Sequence, residues 1–241
     1  MRKKVLVITC EHASNYIPVP YEQYFIEAHK ELNSHLGWDP GAIELANHVA
    51  EKLNVELIYY QFTRLLIEVN RSLSHPHLFS KFTKELSAPE HNKLIEGFYL
   101  PYRLDVENKI RRLVNLDMQV VHVGVHTFTP EFFGEKRAVE IGILFDPDRA
   151  NELEFNSKWR DEMMGLSKAY AVRLNEPYAG KDDGFTTYLR SQFDDDAYLG
   201  IELEVSQKFT KGDQQLYTLI TESLYRTFND LQPGSFVVRH P

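Results

Sequence analysis

Cysteine is nearly absent from this chain, in which Cys10 is the single cysteine among 241 residues. One thiol cannot form an intrachain disulfide, which excludes a disulfide-stabilised secreted scaffold and predicts a reducing, cytoplasmic location. Long apolar runs are absent as well. The longest have the length of one β-strand, well short of the roughly 20 residues that a membrane-spanning helix needs. We therefore expect no membrane partner.

Positive charge is scarce too. The chain carries 27 Lys and Arg against 35 Asp and Glu, a net charge of −8, and no basic run stands out. A nucleic-acid partner is therefore not expected, because nucleic acids are bound by clustered positive charge. The sequence also lacks a Gly-rich phosphate-binding loop and a G-x-S-x-G nucleophile elbow, so neither of these two kinds of site is predicted.

Strand signals, by contrast, recur along the chain. Several of them are continuous Val, Ile and Leu runs, as expected for strands that are covered on both faces. The predicted strands are Val5–Thr9, Val55–Tyr60, Leu65–Val69, Val120–Val125, Val139–Phe145 and Ile201–Val205.

Helical patterns lie between these strands, and some carry clear start signals. The predicted helices run from an N-cap at Asp39 to about Leu53, from a capping box at Ser87 with a restart at Pro101, from Asn156 to Arg173, and from Gln214 to Phe228. No repeat or Gly/Ser linker interrupts the alternation. Residues 1–241 are therefore predicted to form one α/β domain, a three-layer α/β/α sandwich with a mostly parallel mixed sheet.

Two histidines stand directly behind Val-rich runs. His12 follows the first predicted strand and His126 follows the fourth. The carboxyl ends of parallel strands gather ligands, and catalytic zinc takes three protein ligands with one position left open. We predict that both histidines bind zinc. The pattern leaves the third ligand open among Asp39, which begins a helix over the same edge, Glu11 and Glu44.

The last predicted strand, Ile201–Val205, carries Glu202 and Glu204 on one face. A carboxylate beside a metal can accept and relay a proton, so one of these acids is predicted to be a general base. Glu204, nearer the carboxyl end, is preferred, and Glu202 is the alternative. His122 shares a strand face with His126 and is predicted to be a packed or supporting residue rather than a ligand.

An Asn-Arg pair, Asn70-Arg71, ends the predicted strand Leu65–Val69. The planar guanidinium of Arg grips a carboxylate with two hydrogen bonds, and Asn adds an adaptable one. The pair therefore predicts a site for a free carboxylate on a substrate. Arg64, which precedes the same strand, and Arg137 are candidate additional anion contacts.

In their order and spacing these motifs resemble the N-formylglutamate amidohydrolase family. The resemblance extends from residue 4 to about residue 207. It rests on Cys10-Glu11-His12-Ala13-Ser14-Asn15-Tyr16-Ile17-Pro18, Trp38-Asp39-Pro40-Gly41-Ala42, Thr63-Arg64-Leu65 with Asn70-Arg71, His126, and the Glu-bearing stretch from Gly200 to Gln207.

The resemblance implies a zinc-dependent amidohydrolase, with one zinc ion per chain, that acts on a small N-acyl amino acid such as N-formylglutamate. It also implies a fold similar to that of the zinc carboxypeptidases, that is, zinc-exopeptidase-like. Carried over to this chain, His12 and His126 would be ligands, Glu204 the base, and Asn70-Arg71 the carboxylate-binding pair. The resemblance also favours Asp39 as the third ligand.

Two positions depart from the related patterns. Asn15 stands where carboxypeptidase-type sites place a Glu after the first His, so the third ligand must come from elsewhere. Residues 184–190 contain no His, although formylglutamate hydrolases of the family have one near this point. Two alternatives follow: a carboxypeptidase-like peptide amidase that uses the same site, and a non-catalytic anion-binding protein on the same fold.

Overall fold

The computed structural model describes residues 2–209 and 212–231, without the side chain of residue 231. In this part of the chain eight strands form a six-stranded sheet and a short hairpin. The strands are β1 (Lys3–Cys10), β2 (Leu57–Tyr59), β3 (Met118–Phe128), β4 (Glu131–Phe132), β5 (Glu135–Lys136), β6 (Ile141–Leu144), β7 (Val172–Leu174) and β8 (Tyr198–Ser206).

The large sheet has the strand order β2-β1-β3-β8-β6-β7, and β4 and β5 form the hairpin. Four of its neighbouring pairs are parallel, and β6 runs antiparallel to β8. The predicted mostly parallel mixed sheet is therefore confirmed. Since β1, β3 and β8 are adjacent and parallel, their carboxyl ends meet at one edge of the sheet.

Helices cover both faces of this sheet. The helices are α1 (His29–Leu32), α2 (Ala42–Leu53), α3 (Ala88–Leu94), α4 (Leu100–Asn115), α5 (Ala150–Leu166), α6 (Phe185–Gln192) and α7 (Gln214–Leu231). Alternate residues of β1 belong to two separate apolar clusters, because successive side chains of a strand point to opposite faces. Leu6 packs in the cluster with α2, α5 and α7, and Val7 packs in the cluster with α4 and α6. The predicted three layers are confirmed.

The predicted strand Leu65–Val69 is wrong. The segment forms turns whose apolar side chains, such as Leu66 and Ile67, are fully buried in the second cluster. Its backbone is bonded outside the sheet, since the amide of Glu68 donates to Leu78 and Arg103 donates to the carbonyl of Val69. Its high content of buried apolar residues therefore reflects packing and not strand pairing.

Two predicted helix boundaries are also wrong. The helix α2 begins at Ala42, with Gly41 at φ 87° before it, so Asp39 is not its N-cap. The helix predicted over Asn156–Arg173 is α5, Ala150–Leu166, and the residues after it form β7, which pairs with β6. The apolar residues between 156 and 174 are therefore divided between the end of α5 and the strand β7.

The capping box at Ser87 is confirmed, because Ser87 and Glu90 bond reciprocally at the start of α3. The restart near Pro101 is confirmed as well: a π-helical turn, Ile95–Tyr99, joins α3 to α4, and Pro101 lies in the first turn of α4. Within the described ranges, every helix is too short or too polar to cross a membrane.

Candidate active site

His12 lies two residues beyond the end of β1 and is held there by the chain that leads into α2. The amide of Asp39 donates to the carbonyl of His12 at 3.0 Å. On the neighbouring strand, Thr127 donates to the carbonyl of Pro40 at 2.9 Å, which ties the same turn to β3 beside His126. The turn that the sequence marks as a helix start therefore brings the Asp39 carboxylate against both histidines.

The side chains of these three residues converge. The Nδ1 atom of His12 lies 3.0 Å from Oδ2 of Asp39, the Nδ1 atom of His126 lies 3.1 Å from the same oxygen, and the two nitrogens are 3.2 Å apart. Ligands of a tetrahedral zinc ion, with bonds of about 2.0–2.1 Å, lie about 3.3 Å from one another. The triangle has close to that size, and its atoms are a candidate set of metal ligands.

Each histidine is backed by a buried carboxylate at its other nitrogen. Nε2 of His12 lies 2.7 Å from Oε1 of Glu68, and Nε2 of His126 lies 3.2 Å from Oε2 of Glu11. A carboxylate in this place favours the tautomer with the proton on Nε2, in which Nδ1 presents its lone pair to a cation. Two such lone pairs and a carboxylate oxygen at these separations repel one another unless a cation lies between them. The residues present therefore fit a metal ion.

Gly124 leaves the space for one of these pairs. A Cβ atom at this position would lie 3.2 Å from Oε2 of Glu11 and 3.6 Å from Nε2 of His126. Tyr102 supports Glu11 from the other side and donates to its Oε1 at 2.7 Å. The carboxylate of Glu11 is therefore fixed behind His126 and is not part of the ligand triangle.

The electrostatics of the cluster favour positive charge. Burial lowers the pKa of His126, but the Asp39 and Glu11 carboxylates raise it by more, so that it lies well above its usual value. At His12, burial and Arg64 lower the pKa, but Glu68 and Asp39 raise it by more, so that the pKa of His12 also lies above its usual value. Protons or a metal ion at the Nδ1 atoms would satisfy this preference.

Glu204 faces the same centre from β8, where it is in register with His126 of β3. Its side chain is buried, and its Oε2 atom has no hydrogen-bond partner in the described part of the chain. Burial raises the pKa of Glu204 to about 8, against the opposing effect of His126. A carboxyl group that titrates near neutral pH can both accept and donate a proton.

The candidate ligands and Glu204 line a cavity of about 110 Å³. Three of the four predicted substrate-binding residues, Arg64, Asn70 and Arg71, line it too. Arg71 donates to the backbone carbonyl of Asp183, which fixes its guanidinium at the wall. The side-chain Oδ1 of Asn70 accepts from the backbone amide of Phe185 at 2.8 Å, so that half of the Asn70 side chain is engaged within the protein.

The other two arginines have different surroundings from those expected. Arg64 donates to Glu68 at 2.6 Å and to Asp39 at 3.3 Å, so its guanidinium is engaged by carboxylates of the cluster itself. Arg137 lies outside the cavity lining and stacks on three aromatic rings, and it donates to the hydroxyl of Tyr178 at 3.0 Å. Tyr178 in turn lines the cavity.

The other residues considered from the sequence do not belong to the ligand triangle. Glu44 is exposed on α2 and stands apart from the triangle. Glu202 lies two residues before Glu204 on the same face of β8 and lines the same cavity. His122 is a packed residue, as predicted, bonded to Thr9 at 2.8 Å and to Tyr198 at 2.7 Å. Burial lowers its pKa to about 4, so it is neutral.

Sequence reasoning missed Glu68 and Tyr102. Glu68 lies within a segment whose apolar pattern indicates a strand, and Tyr102 belongs to a helix far along the chain from Glu11. Two signals were available for Glu68: a lone acid in an apolar run, and an Arg four residues before it. Such an acid must be paired when it is buried.

Fold and site together define a class, an α/β protein with a candidate metal centre at the carboxyl ends of parallel strands. The family model for N-formylglutamate amidohydrolase matches residues 5–210. Because this match covers most of the chain, the chain belongs to the N-formylglutamate amidohydrolase family, as the sequence motifs predict.

Solved structures share the fold of this chain. The chain is 29% identical to a gene product of Agrobacterium tumefaciens, over 94% of this chain and 91% of that chain, with a TM-score of 0.79. An N-formylglutamate amidohydrolase from Ralstonia eutropha shares the fold, with a TM-score of 0.72 and 15% identity over 97% of this chain and 96% of that chain. The search of curated proteins found no match.

Proposed function

We propose that this protein is a zinc-dependent amidohydrolase that cleaves the amide bond of a small N-acyl amino acid. The observation that carries the proposal is the triangle of His12, Asp39 and His126 with the buried Glu204 carboxylate in the same cavity. Two imidazoles and one carboxylate are a donor set that catalytic zinc uses. One zinc ion per chain is proposed, together with the cytoplasmic location expected from the lone cysteine.

A zinc ion held by these three residues would supply Lewis acidity to the amide carbonyl and acidify a water molecule. Glu204 would accept a proton from the attacking water and deliver it to the departing amine nitrogen. Its buried position in the same cavity as the proposed ligands suits both steps.

Arg71 would bind the substrate carboxylate and so fix the position of the scissile amide. Its guanidinium is held at the cavity wall by the carbonyl of Asp183, and its remaining N–H groups have no protein partner in the described ranges. Asn70, next to it, would contribute its amide N–H. Arg64 and Glu68 would hold the ligands Asp39 and His12 in place.

The size of the cavity supports a small substrate. Pockets for drug-sized ligands measure about 300–1,000 Å³, whereas the cavity here measures about 110 Å³. A peptide groove, which a carboxypeptidase-like amidase needs, would require a larger opening. An N-acyl amino acid is therefore preferred over a peptide end.

The test is hydrolysis of N-formyl and N-acetyl amino acids by protein reconstituted with zinc, next to metal-free protein and a His126→Ala variant. We expect release of the free amino acid by the zinc-loaded protein alone. A dipeptide series in the same assay separates the two kinds of amidase. Equal turnover with and without metal would contradict the proposal.

A further inference from the structure

We propose that the substrate of this site carries a single carboxylate and a side chain that donates hydrogen bonds, an amide or an amine, and that Glu202 excludes a second carboxylate. The inference rests on the proposed amide hydrolysis. It goes beyond that proposal because it names the chemical class of the amino acid that is deacylated.

The first observation is how few positively charged side chains the cavity offers to the carboxylates of a substrate. Two arginines line it, Arg64 and Arg71. Both sides of the Arg64 guanidinium are engaged by Glu68 and Asp39. Arg71 is then the one guanidinium of the described lining with N–H groups directed to a ligand. One guanidinium binds one carboxylate.

The second observation is the acidic wall of the cavity away from the metal ligands, which Glu202, Asp182 and Asp183 form. Asp183 is bonded by the amide and the hydroxyl of Ser72 at 3.1 and 3.0 Å. Glu202 has a different environment. Its Oε1 atom accepts two long hydrogen bonds, from Asn70 at 3.4 Å and from Thr186 at 3.3 Å.

No ion pair neutralises Glu202 in the part of the chain that the structure describes, and its Oε2 atom has no hydrogen-bond partner there. Gly184 leaves room for this carboxylate, since a Cβ at that position would lie 3.1 Å from Oε1 of Glu202. This carboxylate therefore lines the cavity without a protein cation beside it, where a donor group of a ligand can bond to it.

The third observation is Glu204, which is 7% exposed and lines the same small cavity with an unpartnered Oε2 atom. A cavity of about 110 Å³ leaves a second substrate carboxylate no position far from these acids. Like charges about 5–6 Å apart inside a protein repel strongly enough to change affinity tenfold or more. A side-chain amide or amine would instead donate to Glu202.

The experiment compares N-formyl-L-glutamate with N-formyl-L-glutamine, which differ by one charge at nearly equal shape, and adds N-formyl-L-lysine. With zinc-loaded protein we expect kcat/KM for the glutamine compound to exceed that for the glutamate compound at least tenfold. In Glu202→Gln this ratio should fall about tenfold or more, and turnover of the lysine compound should drop. Glu96→Gln, an exposed residue outside the cavity, is the matched control and should leave all three values unchanged.

A preference of the wild type for glutamate, or an unchanged ratio in Glu202→Gln, would overturn the inference. An equal loss for all three compounds would also overturn it, because Glu202 would then act in the chemistry. Calorimetric binding of the same compounds to zinc-loaded Glu204→Gln separates the two proposals. The expected order of affinities without any turnover by the wild type supports the inference and contradicts amide hydrolysis, whereas no binding of any compound overturns both.

Discussion

The strand β8 has a cluster of buried charge near each of its ends. Near its amino end, Glu152 is fully buried, and each of its carboxylate oxygens accepts from Arg190 and from a backbone amide. The remaining N–H groups of Arg190 donate to the carbonyls of Gly180 and Gly200 and to the hydroxyl of Thr187. Every polar atom of this pair has a partner within the protein.

The cluster near the carboxyl end is built differently. His12, Asp39 and His126 are also buried, yet three of their atoms meet one another, and a proton or a cation must lie between them. Glu204 beside them has an oxygen without a partner. We expect this difference between a charge pair with a structural role and a cluster with the proposed binding role. Protein groups alone satisfy the Glu152–Arg190 pair, whereas we propose that a cation and a substrate complete the cluster at the carboxyl end.

Of the variants suggested by this comparison of the two clusters, we expect the largest effect from a substitution of Glu204. In Glu204→Gln the side chain keeps its shape but cannot accept a proton, so we expect kcat to fall by about 10³–10⁴-fold. The measurement is turnover of the zinc-loaded variant on the best N-acyl amino acid. Zinc content should stay at the wild-type level, since Glu204 is not a proposed ligand. Equal activity of the variant would remove Glu204 from the mechanism.

The next largest effect is expected at the other cluster. Arg190→Met leaves the Glu152 carboxylate buried without its main partner, which should lower the free energy of unfolding by about 3–5 kcal/mol. Denaturant unfolding measures this loss. The matched control is Arg226→Met, which breaks an exposed ion pair with Glu222 and should cost less than about 1 kcal/mol. Similar losses in both variants would contradict a structural role for Arg190.

A smaller effect is expected when the support of a proposed ligand is weakened. Glu68→Gln removes the charge behind His12 and the bond from Arg64. Loss of such a partner lowers metal affinity by about 10–100-fold. Competition with a chromogenic zinc chelator measures the affinity, with Glu96→Gln as the unaffected control. An unchanged zinc affinity would show that Glu68 does not orient His12.

The smallest effect concerns pH. Because neighbouring carboxylates raise the pKa of His12 and of His126, protons compete with metal at their Nδ1 atoms. Affinity for zinc should therefore fall as pH falls through these raised pKa values, by about tenfold per pH unit for each proton released. Calorimetry in two buffers that differ in ionisation enthalpy counts the protons. A pH-independent affinity around neutrality would contradict this coupling.

The sequence predicts most of the sheet, because its central strands are continuous apolar runs, as expected for strands that are buried on both faces. β7 was missed, since three residues with one exposed between two buried or half-buried neighbours give no distinctive pattern. Leu65–Val69 was misread as a strand because its apolar residues are buried in a cluster of helices and turns. Local pattern cannot tell these two kinds of burial apart.

At the candidate site the sequence predicts the residues at or beyond the carboxyl ends of strands, such as His12, His126 and Glu204. Their closeness follows because parallel strands of one sheet end at one edge. The sequence does not indicate Tyr102, whose position depends on how a helix packs. Glu68 has two sequence signals, but its contact with His12 depends on how a turn packs. The same limit explains Arg64 and Arg137. Their type suits an anion, but their partners in the fold are Glu68, Asp39 and aromatic rings.

The central claim is that His12, Asp39 and His126 form a cation site. The most direct measurement is elemental analysis of the purified protein after reconstitution with zinc and dialysis, for the wild type, His126→Ala and the surface control Arg226→Met. We expect about one zinc ion per chain in the wild type and the control, and almost none in His126→Ala. Equal zinc in all three proteins, or no zinc in the wild type, would contradict the claim.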